Sequence, residues 1–384
     1  MLSLLLQACI STSQTSSVDP LLTEAINYKK TIDENHPDHL NQLFYVPEGF
    51  TSELQERFGR LDSIRAANKI AKWLVSDDGY GLAYDIKANL TPSEAIEQKR
   101  GNCLSFTLLI IELGKNLDIK IEANQVDVPD EWGENGQEDL VFYRHVNAIM
   151  KHGLETQILD LAISEYDYGY PQRIISRIES AGLMYSNKGV EALAIEDFET
   201  ALHYLKLAVS HFPDNPDMWI NLGALYKAQH QYDEAEASYL RALSLRDKNN
   251  LAASNLERLY RLLGNSRKAE LYAAKAEKAR RKNPYYLFKV ASQKFLDQHY
   301  DDALVSVNKA IKHHEKDHRF FSLRSEIHKA KEQYIKALED LAQASLLTNE
   351  ESDIIKYRES ARSVVARLQS SGALEQIDLP PESL

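Results

Sequence analysis

The apolar positions in the C-terminal half of the chain repeat every 34 residues between positions 182 and 351. Two columns of this register contain only alanine, and two more contain mostly larger apolar residues. Alanine allows close contact between helices without the helix penalty of glycine, which is about 1 kcal/mol. The columns are Ala201, Ala235, Ala269, Ala303 and Ala337; Ala208, Ala242, Ala276, Ala310 and Ala344; Tyr185, Trp219, Ala253, Leu287 and Phe321; and Leu205, Tyr239, Ala273, Val307 and Leu341. The pattern predicts five packed helix pairs.

The second repeat shows the pattern most fully, and its residues resemble the tetratricopeptide repeat. These residues are Trp219, Leu222, Gly223, Tyr226, Ala235, Tyr239 and Ala242. The resemblance implies that residues 181–351 form five such repeats, which stack into an all-α solenoid with a concave surface for a protein partner. Helical spacing predicts a capping helix over 352–370, and the tail at 371–384 is expected to be disordered.

The N-terminal half begins with helical patterns, and the best of them predicts one amphipathic helix over 52–75. Thr91, Pro92 and Glu94 then form a capping-box sequence with proline at the first helical position. This signal predicts a short helix that ends before Gly101. The run at 104–113 is apolar nearly all round, which predicts a helix buried in a domain core.

Cys103 stands at the start of this buried helix, directly after Asn102, which is a suitable N-cap residue. At that position the free backbone N–H groups and the positive end of the helix dipole stabilise a thiolate over a thiol. The same N–H groups can donate to the oxyanion that forms when a carbonyl is attacked. Cys103 is therefore a candidate nucleophile.

Alternating apolar and polar residues predict strands over 119–126, 141–150 and 157–163. The second contains His145 and the third contains Asp160. A two-residue turn at 152–153 places these two side chains directly opposite each other across a hairpin. A turn shifted by one residue instead pairs Asn147 with Asp160 and leaves His145 diagonal to the carboxylate, still within reach. Both registers favour a contact between the histidine and the aspartate.

A Gly-x-Cys that opens a buried helix, a strand histidine and a strand Leu-Asp together resemble the transglutaminase-like superfamily over roughly residues 50–165. The resemblance implies an α+β domain, predicted over 21–180. It makes Cys103 the nucleophile, His145 the general base and acid, and Asp160 the group that orients the imidazole. The two residues after the histidine and the two after the aspartate differ from those usual in the family, which leaves the substrate class open.

The resemblance implies a thiol hydrolase that cleaves an amide bond in a peptide or protein through an acyl-enzyme, without a cofactor. The repeats would recruit the substrate or a protein partner. Acyl transfer is an alternative, because the same triad serves it when an amine replaces water at deacylation. A second alternative is a scaffold whose thiol domain is inactive and whose repeats bind partner proteins.

Two further segments carry residue types that bind metals. His314-Glu315-Lys316-Asp317-His318 fits H-E-x-x-H, the helical zinc motif of metalloproteases. In the 34-residue register this motif straddles the turn between two repeats, so we predict a solvated loop and no zinc site. The acidic segment at 127–134 lacks the spacing of a calcium loop and is predicted to be a solvated rim beside the cleft.

The formal net charge of −12 argues against a nucleic-acid partner. At the N-terminus, Leu6-Gln7-Ala8-Cys9 resembles a bacterial lipoprotein lipobox, and a Ser/Thr-rich linker at 10–20 follows it. Residues 1–9 would then be a signal remnant with Cys9 lipidated, and Ile10 implies outer-membrane sorting. The expected location is the bacterial cell envelope, as an outer-membrane lipoprotein that faces the periplasm and touches the membrane only through its lipid anchor.

Overall fold

The computed structural model describes residues 19–126, 145–152, 155–160, 172–246, 249–348 and 351–370. Most of these residues are helical. A four-stranded antiparallel sheet follows the N-terminal helices along the chain and precedes the repeats. None of the described helices has the length and apolar character needed to cross a membrane. Residues 36–176 are called the sheet region below, and residues 177–347 the repeat region.

Four helices open the described chain: α1 (Pro20–Asn35), α2 (His39–Leu43), α3 (Glu48–Phe58) and α4 (Ser63–Val75). The prediction of a single helix over 52–75 is wrong, because the helix is interrupted between the end of α3 and the start of α4. Gly59 ends α3, and the Asp62 carboxylate begins α4 by accepting the N–H of Arg65 at 3.0 Å. Both helices bury apolar residues in the same core, so the predicted periodicity holds on either side of the break.

The next segment carries a short helix and a pair of two-residue strands. The helix is α5 (Pro92–Gln98), and its predicted capping box is confirmed. The Glu94 carboxylate accepts the Thr91 N–H at 2.7 Å, and the Thr91 hydroxyl accepts the Glu94 N–H. Strand β1 (Ala83–Tyr84) pairs in parallel with β2 (Arg100–Gly101), and α6 (Cys103–Asn116) follows at once. Most of α6 is buried, as its uniformly apolar sequence predicts.

The antiparallel sheet consists of β3 (Glu122–Val126), β4 (His145–His152), β5 (Glu155–Leu159) and β6 (Gln172–Ile175), in the order β5–β4–β3–β6. Strand β6 is absent from the sequence prediction. In the β4–β5 register Ala148 faces Leu159, so Asn147 is the residue that next meets Asp160. The direct pairing of His145 with Asp160 is therefore wrong, and the alternative diagonal register is the one formed. Asp160 also lies just past β5 and not in mid-strand.

The repeat region consists of five helix pairs, followed by the predicted capping helix α17 (Glu351–Ser370). Every alanine in the two alanine columns is at most 2% exposed, so these columns do mark the helix contacts. The pairs are α7 (Arg177–Ala194) with α8 (Phe198–His211), α9 (Pro216–Ala228) with α10 (Tyr232–Leu245), α11 (Asn250–Leu262) with α12 (Ser266–Arg280), α13 (Pro284–Leu296) with α14 (Tyr300–His313), and α15 (His318–Ala330) with α16 (Tyr334–Leu347).

The H-E-x-x-H motif lies across the turn between α14 and α15, as predicted, but the predicted solvated loop is wrong for Asp317 and His318, which are buried. His314 follows the last residue of α14, whereas His318 is the first residue of α15. Asp317 caps α15 by accepting the N–H of Arg319 at 2.9 Å. His318 bonds through Nδ1 to the hydroxyl of Tyr357 on α17 at 2.6 Å. The two histidines therefore do not share one helix face.

Part of the sheet region shares a hydrophobic core with the first three repeats, and a second cluster belongs to the sheet region alone. The shared core joins Leu104 of α6 and Val146 of β4 to repeat residues as far along the chain as Ala276. The predicted boundary between residues 180 and 181 also falls inside α7, which begins at Arg177. One hydrophobic cluster therefore crosses the predicted boundary between the two domains.

Helix α1 packs on the repeat region, although it precedes the sheet region in sequence. The hydroxyl of Tyr28 bonds to Nδ1 of His203 on α8 at 2.7 Å. Glu24 pairs with Lys206, one turn further along α8, at 2.6 Å. The first helix of the N-terminal domain, which is predicted to begin at residue 21, therefore packs on the repeats.

Candidate functional site

Cys103 is the first residue of α6, and its side chain is partly exposed. The predicted N-cap is confirmed, because Asn102 Oδ1 accepts the N–H of Ser105 at 2.9 Å. The N–H groups of Cys103 and Leu104 have no acceptor among the described residues, as is usual in the first turn of a helix. They are two donors that an oxyanion beside the thiol can use.

A buried contact fixes α6 against the strand that carries His145. The hydroxyl of Thr107 on α6 donates to the carbonyl of Val146 at 3.1 Å, and Thr107 is fully buried. Because Val146 directly follows His145, this bond holds the helix of the thiol beside the strand of the histidine. Sequence analysis missed Thr107, since a single hydroxyl in an apolar helix gives no sign of its partner.

His145 begins β4, and its ring reaches Asp160 diagonally across the hairpin. Nε2 of His145 and Oδ2 of Asp160 are 2.6 Å apart. The histidine side chain is only 9% exposed and the carboxylate only 1%, so water competes little for this bond. The contact fixes the orientation of the imidazole, which is the role predicted for Asp160.

The thiol of Cys103 lies close enough to His145 to affect the pKa of its imidazole. Burial lowers the pKa of His145, but the bond to Asp160, the interaction with Cys103 and the charges of these two groups outweigh it and raise the pKa to about 10. The ring is therefore an imidazolium at neutral pH.

The three predicted catalytic side chains thus lie together in the order thiol, imidazole, carboxylate. Each comes from a different element: Cys103 from α6, His145 from β4 and Asp160 from the end of β5. A thiolate can attack an electrophilic carbon, an imidazolium can supply a proton, and a buried carboxylate can hold the ring. Groups arranged in this order are able to activate a cysteine nucleophile.

The face of the sheet that carries His145 is covered in part by the fourth repeat. Val126 on β3 lies opposite His145, so the two side chains project from the same face. Val126 is fully buried and packs against Ile158 and against Tyr285 at the start of α13. Asn147 shares this face and is fully buried, and its Nδ2 has no acceptor among the described residues.

The remaining sequence predictions for binding sites fall elsewhere. Cys9 and the acidic segment at 127–134 lie outside the described residues. Within the described ranges, no group of three or more His, Cys, Asp and Glu side chains is arranged to hold a metal ion.

Comparison with known proteins identifies the repeats. A family model described as tetratricopeptide repeat matches residues 192–258, from the end of α7 into α11. No curated protein matches the chain. Similar solved structures include YrrB, a TPR protein (19% identity, 47% of this chain and 93% of that one, TM-score 0.25), the MamA protein (14%, 52% and 98%, 0.25) and pilF of Pseudomonas aeruginosa (13%, 51% and 93%, 0.26). The family match identifies residues 192–258 as tetratricopeptide repeat, and helix pairs of the same pattern continue through the rest of the repeat region.

Proposed function

We propose that this protein is a thiol hydrolase that cleaves an amide bond in a peptide or protein through an acyl-enzyme. One observation carries the proposal: the imidazole of His145 bonds the Asp160 carboxylate at 2.6 Å and interacts with the thiol of Cys103, which opens α6. A transglutaminase-like fold for the sheet region belongs to the same proposal. It is supported by the nucleophile at a helix start and by the other two groups on an antiparallel sheet.

The reaction begins when the Cys103 thiolate attacks the carbonyl carbon of the substrate amide. A C–S bond forms, and the carbonyl oxygen becomes an oxyanion that the N–H groups of Cys103 and Leu104 can stabilise. The C–N bond then breaks as the imidazolium of His145 gives its proton to the leaving amine. The neutral imidazole next takes a proton from water, whose oxygen attacks the thioester; the C–S bond breaks, the carboxylic acid leaves, and the Cys103 thiolate and the His145 imidazolium are restored. Asp160 keeps the ring aligned through both steps.

The repeats would hold the substrate protein or a partner near this site. Helix α9 is buried at every position from Pro216 to Tyr226, whereas α13 buries only Leu287 and Ala291. A partner on the concave surface therefore finds more open area at the fourth repeat than at the second. Tyr285 at the start of α13 also packs on Val126, on the face of the sheet that carries His145, so the fourth repeat is linked to the strands of the candidate site.

The proposed location is the bacterial cell envelope, with Cys9 as a lipidated N-terminus of an outer-membrane lipoprotein. Replacement of Cys9 by Ser in a chain with its full native start is expected to move the protein from the membrane fraction to the soluble envelope fraction. Cell fractionation with immunodetection measures this shift. An unlipidated, soluble wild type contradicts the proposal for Cys9 and leaves the proposal for Cys103 untouched.

The proposal for Cys103 is tested by its alkylation rate with iodoacetamide as a function of pH. We expect fast alkylation at about pH 6–7, where an ordinary thiol near pKa 8.5 reacts slowly, because His145 stays protonated up to about pH 10. His145→Ala removes the cation, and Asp160→Asn disturbs the ring, so both variants are expected to react more slowly. Asp160→Asn is also expected to lower turnover of a peptide substrate by orders of magnitude.

Two controls make this test specific. Cys103→Ser identifies the alkylated residue, and circular dichroism shows that each variant is folded. Superimposable pH profiles for wild type, His145→Ala and Asp160→Asn would rule out the triad. The protein would then be a scaffold whose repeats bind partner proteins and whose thiol is inert.

A further inference from the structure

The N-cap of α6 is held by a chain of side-chain amides that ends on the first repeat. Asn102 donates from Nδ2 to Oδ1 of Asn89, which precedes α5. The same Oδ1 accepts from Nδ2 of Asn187 on α7 at 2.9 Å. Nδ2 of Asn89 donates to Oε1 of Glu191, one turn further along α7, at 2.7 Å. Two side chains of the first repeat therefore form hydrogen bonds with the oxygen and the nitrogen of the Asn89 amide.

Two of the asparagine side chains that form these bonds are buried. Asn89 is 3% exposed and Asn102 is 5% exposed, so water cannot readily replace a missing partner. The bond to Glu191 ends on a carboxylate, and a hydrogen bond to an ionised group is about twice as strong as a neutral one. Without Glu191 and Asn187, the Asn89 amide loses the groups that fix its orientation.

The orientation of Asn89 in turn decides what Asn102 can do. Asn102 Oδ1 accepts the N–H of Ser105 at 2.9 Å, so it satisfies the third donor of α6 and leaves those of Cys103 and Leu104 open. An Asn102 side chain that turns away releases the Ser105 N–H and frays the first turn. The thiol and both oxyanion donors lie in that turn.

We propose that Asn187 and Glu191 of the first repeat are positioning residues for Cys103. Through Asn89 they fix Asn102, and through Asn102 they fix the first turn of α6 against His145. This inference rests on the proposed function of Cys103 as a nucleophile. It gives the first repeat a role in the chemistry of the sheet region, beyond any contact with substrate or partner.

The network also reaches the second repeat. Asn221 on α9 donates to the hydroxyl of Ser186, the neighbour of Asn187 on α7, at 2.9 Å, and Asn221 is fully buried. A displacement of α9 against α7 therefore acts on the helix that holds the Asn89 amide. This is a physical path by which packing within the repeat array affects the thiol.

The expected effect is partial, because the sheet region also supports the turn by itself. The Asn102 N–H donates to the Ala88 carbonyl at 3.1 Å, and the Ser105 hydroxyl donates to the same carbonyl at 3.0 Å. Loss of one buried bond of this kind corresponds to roughly a three- to tenfold change in rate. Loss of the whole thiol chemistry is not expected.

The test measures alkylation of Cys103 against pH in the full chain for four α7 variants. Asn187→Ala and Glu191→Leu are expected to slow alkylation at about pH 6–7 by roughly three- to tenfold. Glu191→Gln keeps an acceptor for Asn89 and is expected to restore most of the rate. Lys188→Gln is the matched control, because Lys188 lies between the two on α7 and contacts Glu94 of α5 at 3.4 Å without touching Asn89.

Hydrogen exchange at the Ser105 amide, followed by mass spectrometry, gives a second readout that does not depend on reactivity. Faster exchange is expected in Asn187→Ala and Glu191→Leu but not in Lys188→Gln, because only the first two release the Asn102 cap. This readout remains informative if one truncation lowers global stability, since Glu191→Gln and Lys188→Gln then provide the folded comparison.

The outcomes separate this inference from the proposed function. If wild-type alkylation depends on His145 while Asn187→Ala and Glu191→Leu keep the wild-type profile and the wild-type Ser105 exchange, the positioning role is wrong and the triad stands. If alkylation of the wild type does not depend on His145, the proposed function fails and the positioning role fails with it. Slower alkylation in all four variants, including Lys188→Gln, means a general loosening of α7 and also overturns the inference.

Discussion

The first three repeats and the last two share the same alanine columns, yet they pack in different surroundings. Repeats one to three lie in a single core with α6 and β4, as the joint burial of Leu104, Val146 and Trp219 shows. The fourth and fifth repeats fill smaller cores of their own, which contain Phe320 and, with α17, Tyr357. A repeat register therefore predicts how the two helices of a pair meet, but not which outer surfaces another part of the chain covers.

The same contrast appears between single helices in equivalent positions. Helix α9 of the second repeat is buried without interruption from Pro216 to Tyr226. Helix α13 of the fourth repeat buries only Leu287 and Ala291, while Lys289, Gln293 and Leu296 are exposed. The N-terminal repeats thus act as part of the body that holds the thiol site, and the C-terminal repeats keep the open surface that a partner needs.

The largest difference between the first three repeats and the last two is expected in the fragment 181–370. The repeat register alone predicts that this fragment folds by itself as one helical array. The shared core predicts a different result, because the fragment lacks α1, the sheet region and the first turn of α7. We expect hydrogen exchange to show protected amides in α13–α17 and rapid exchange in α7–α10, whereas the full chain protects both. Uniform protection across all five repeats would mean that the N-terminal repeats do not need the sheet region.

The next effect in size concerns two fully buried aromatic side chains in different cores. Trp219 and Phe320 are both 0% exposed, and truncation of either to alanine is expected to cost about 3–5 kcal/mol. Because Trp219 lies in the shared core, Trp219→Ala is expected to lower the temperature at which Cys103 loses its fast alkylation. Phe320→Ala is the matched control and is expected to melt the C-terminal repeats while fast alkylation persists. Equal losses of fast alkylation in the two variants would mean that the first three repeats and the last two do not have separate cores.

Sequence reasoning succeeded where the interaction is local. The cap of α6 by Asn102 spans three residues, the capping box of α5 spans three, and each alanine column needs only the contact within a helix pair. The contact of His145 with Asp160 was also within reach, because a short hairpin offers few registers. Its register still differed by one step, since the alternation of side chains favours neither turn position.

The interactions that sequence reasoning missed join residues far apart along the chain. Asn89 meets Asn187 and Glu191 about a hundred positions later, and α1 meets α8 across a longer gap. No periodicity marks such pairs, because a polar residue that bonds across a core has the same local pattern as one on a surface. The break between α3 and α4 was missed for another reason: the apolar spacing stays in phase across Gly59, and the periodic signal outweighed the capping signal of Asp62.

The smallest expected effect tests the one place, among the described apolar clusters, where the C-terminal repeats meet the sheet. Tyr285 packs on Val126 and is itself half-buried, so Tyr285→Ala is expected to cost about 1 kcal/mol. We expect faster amide exchange in β3 and β4, because Val126 loses the ring that covers it opposite His145. Tyr286→Ala is the matched control, since this neighbouring tyrosine is also half-buried but is not part of the cluster. Equal exchange in β3 and β4 for the two variants would show that the fourth repeat does not support the strand that carries His145. The contact between the fourth repeat and the sheet would then have no consequence for the site.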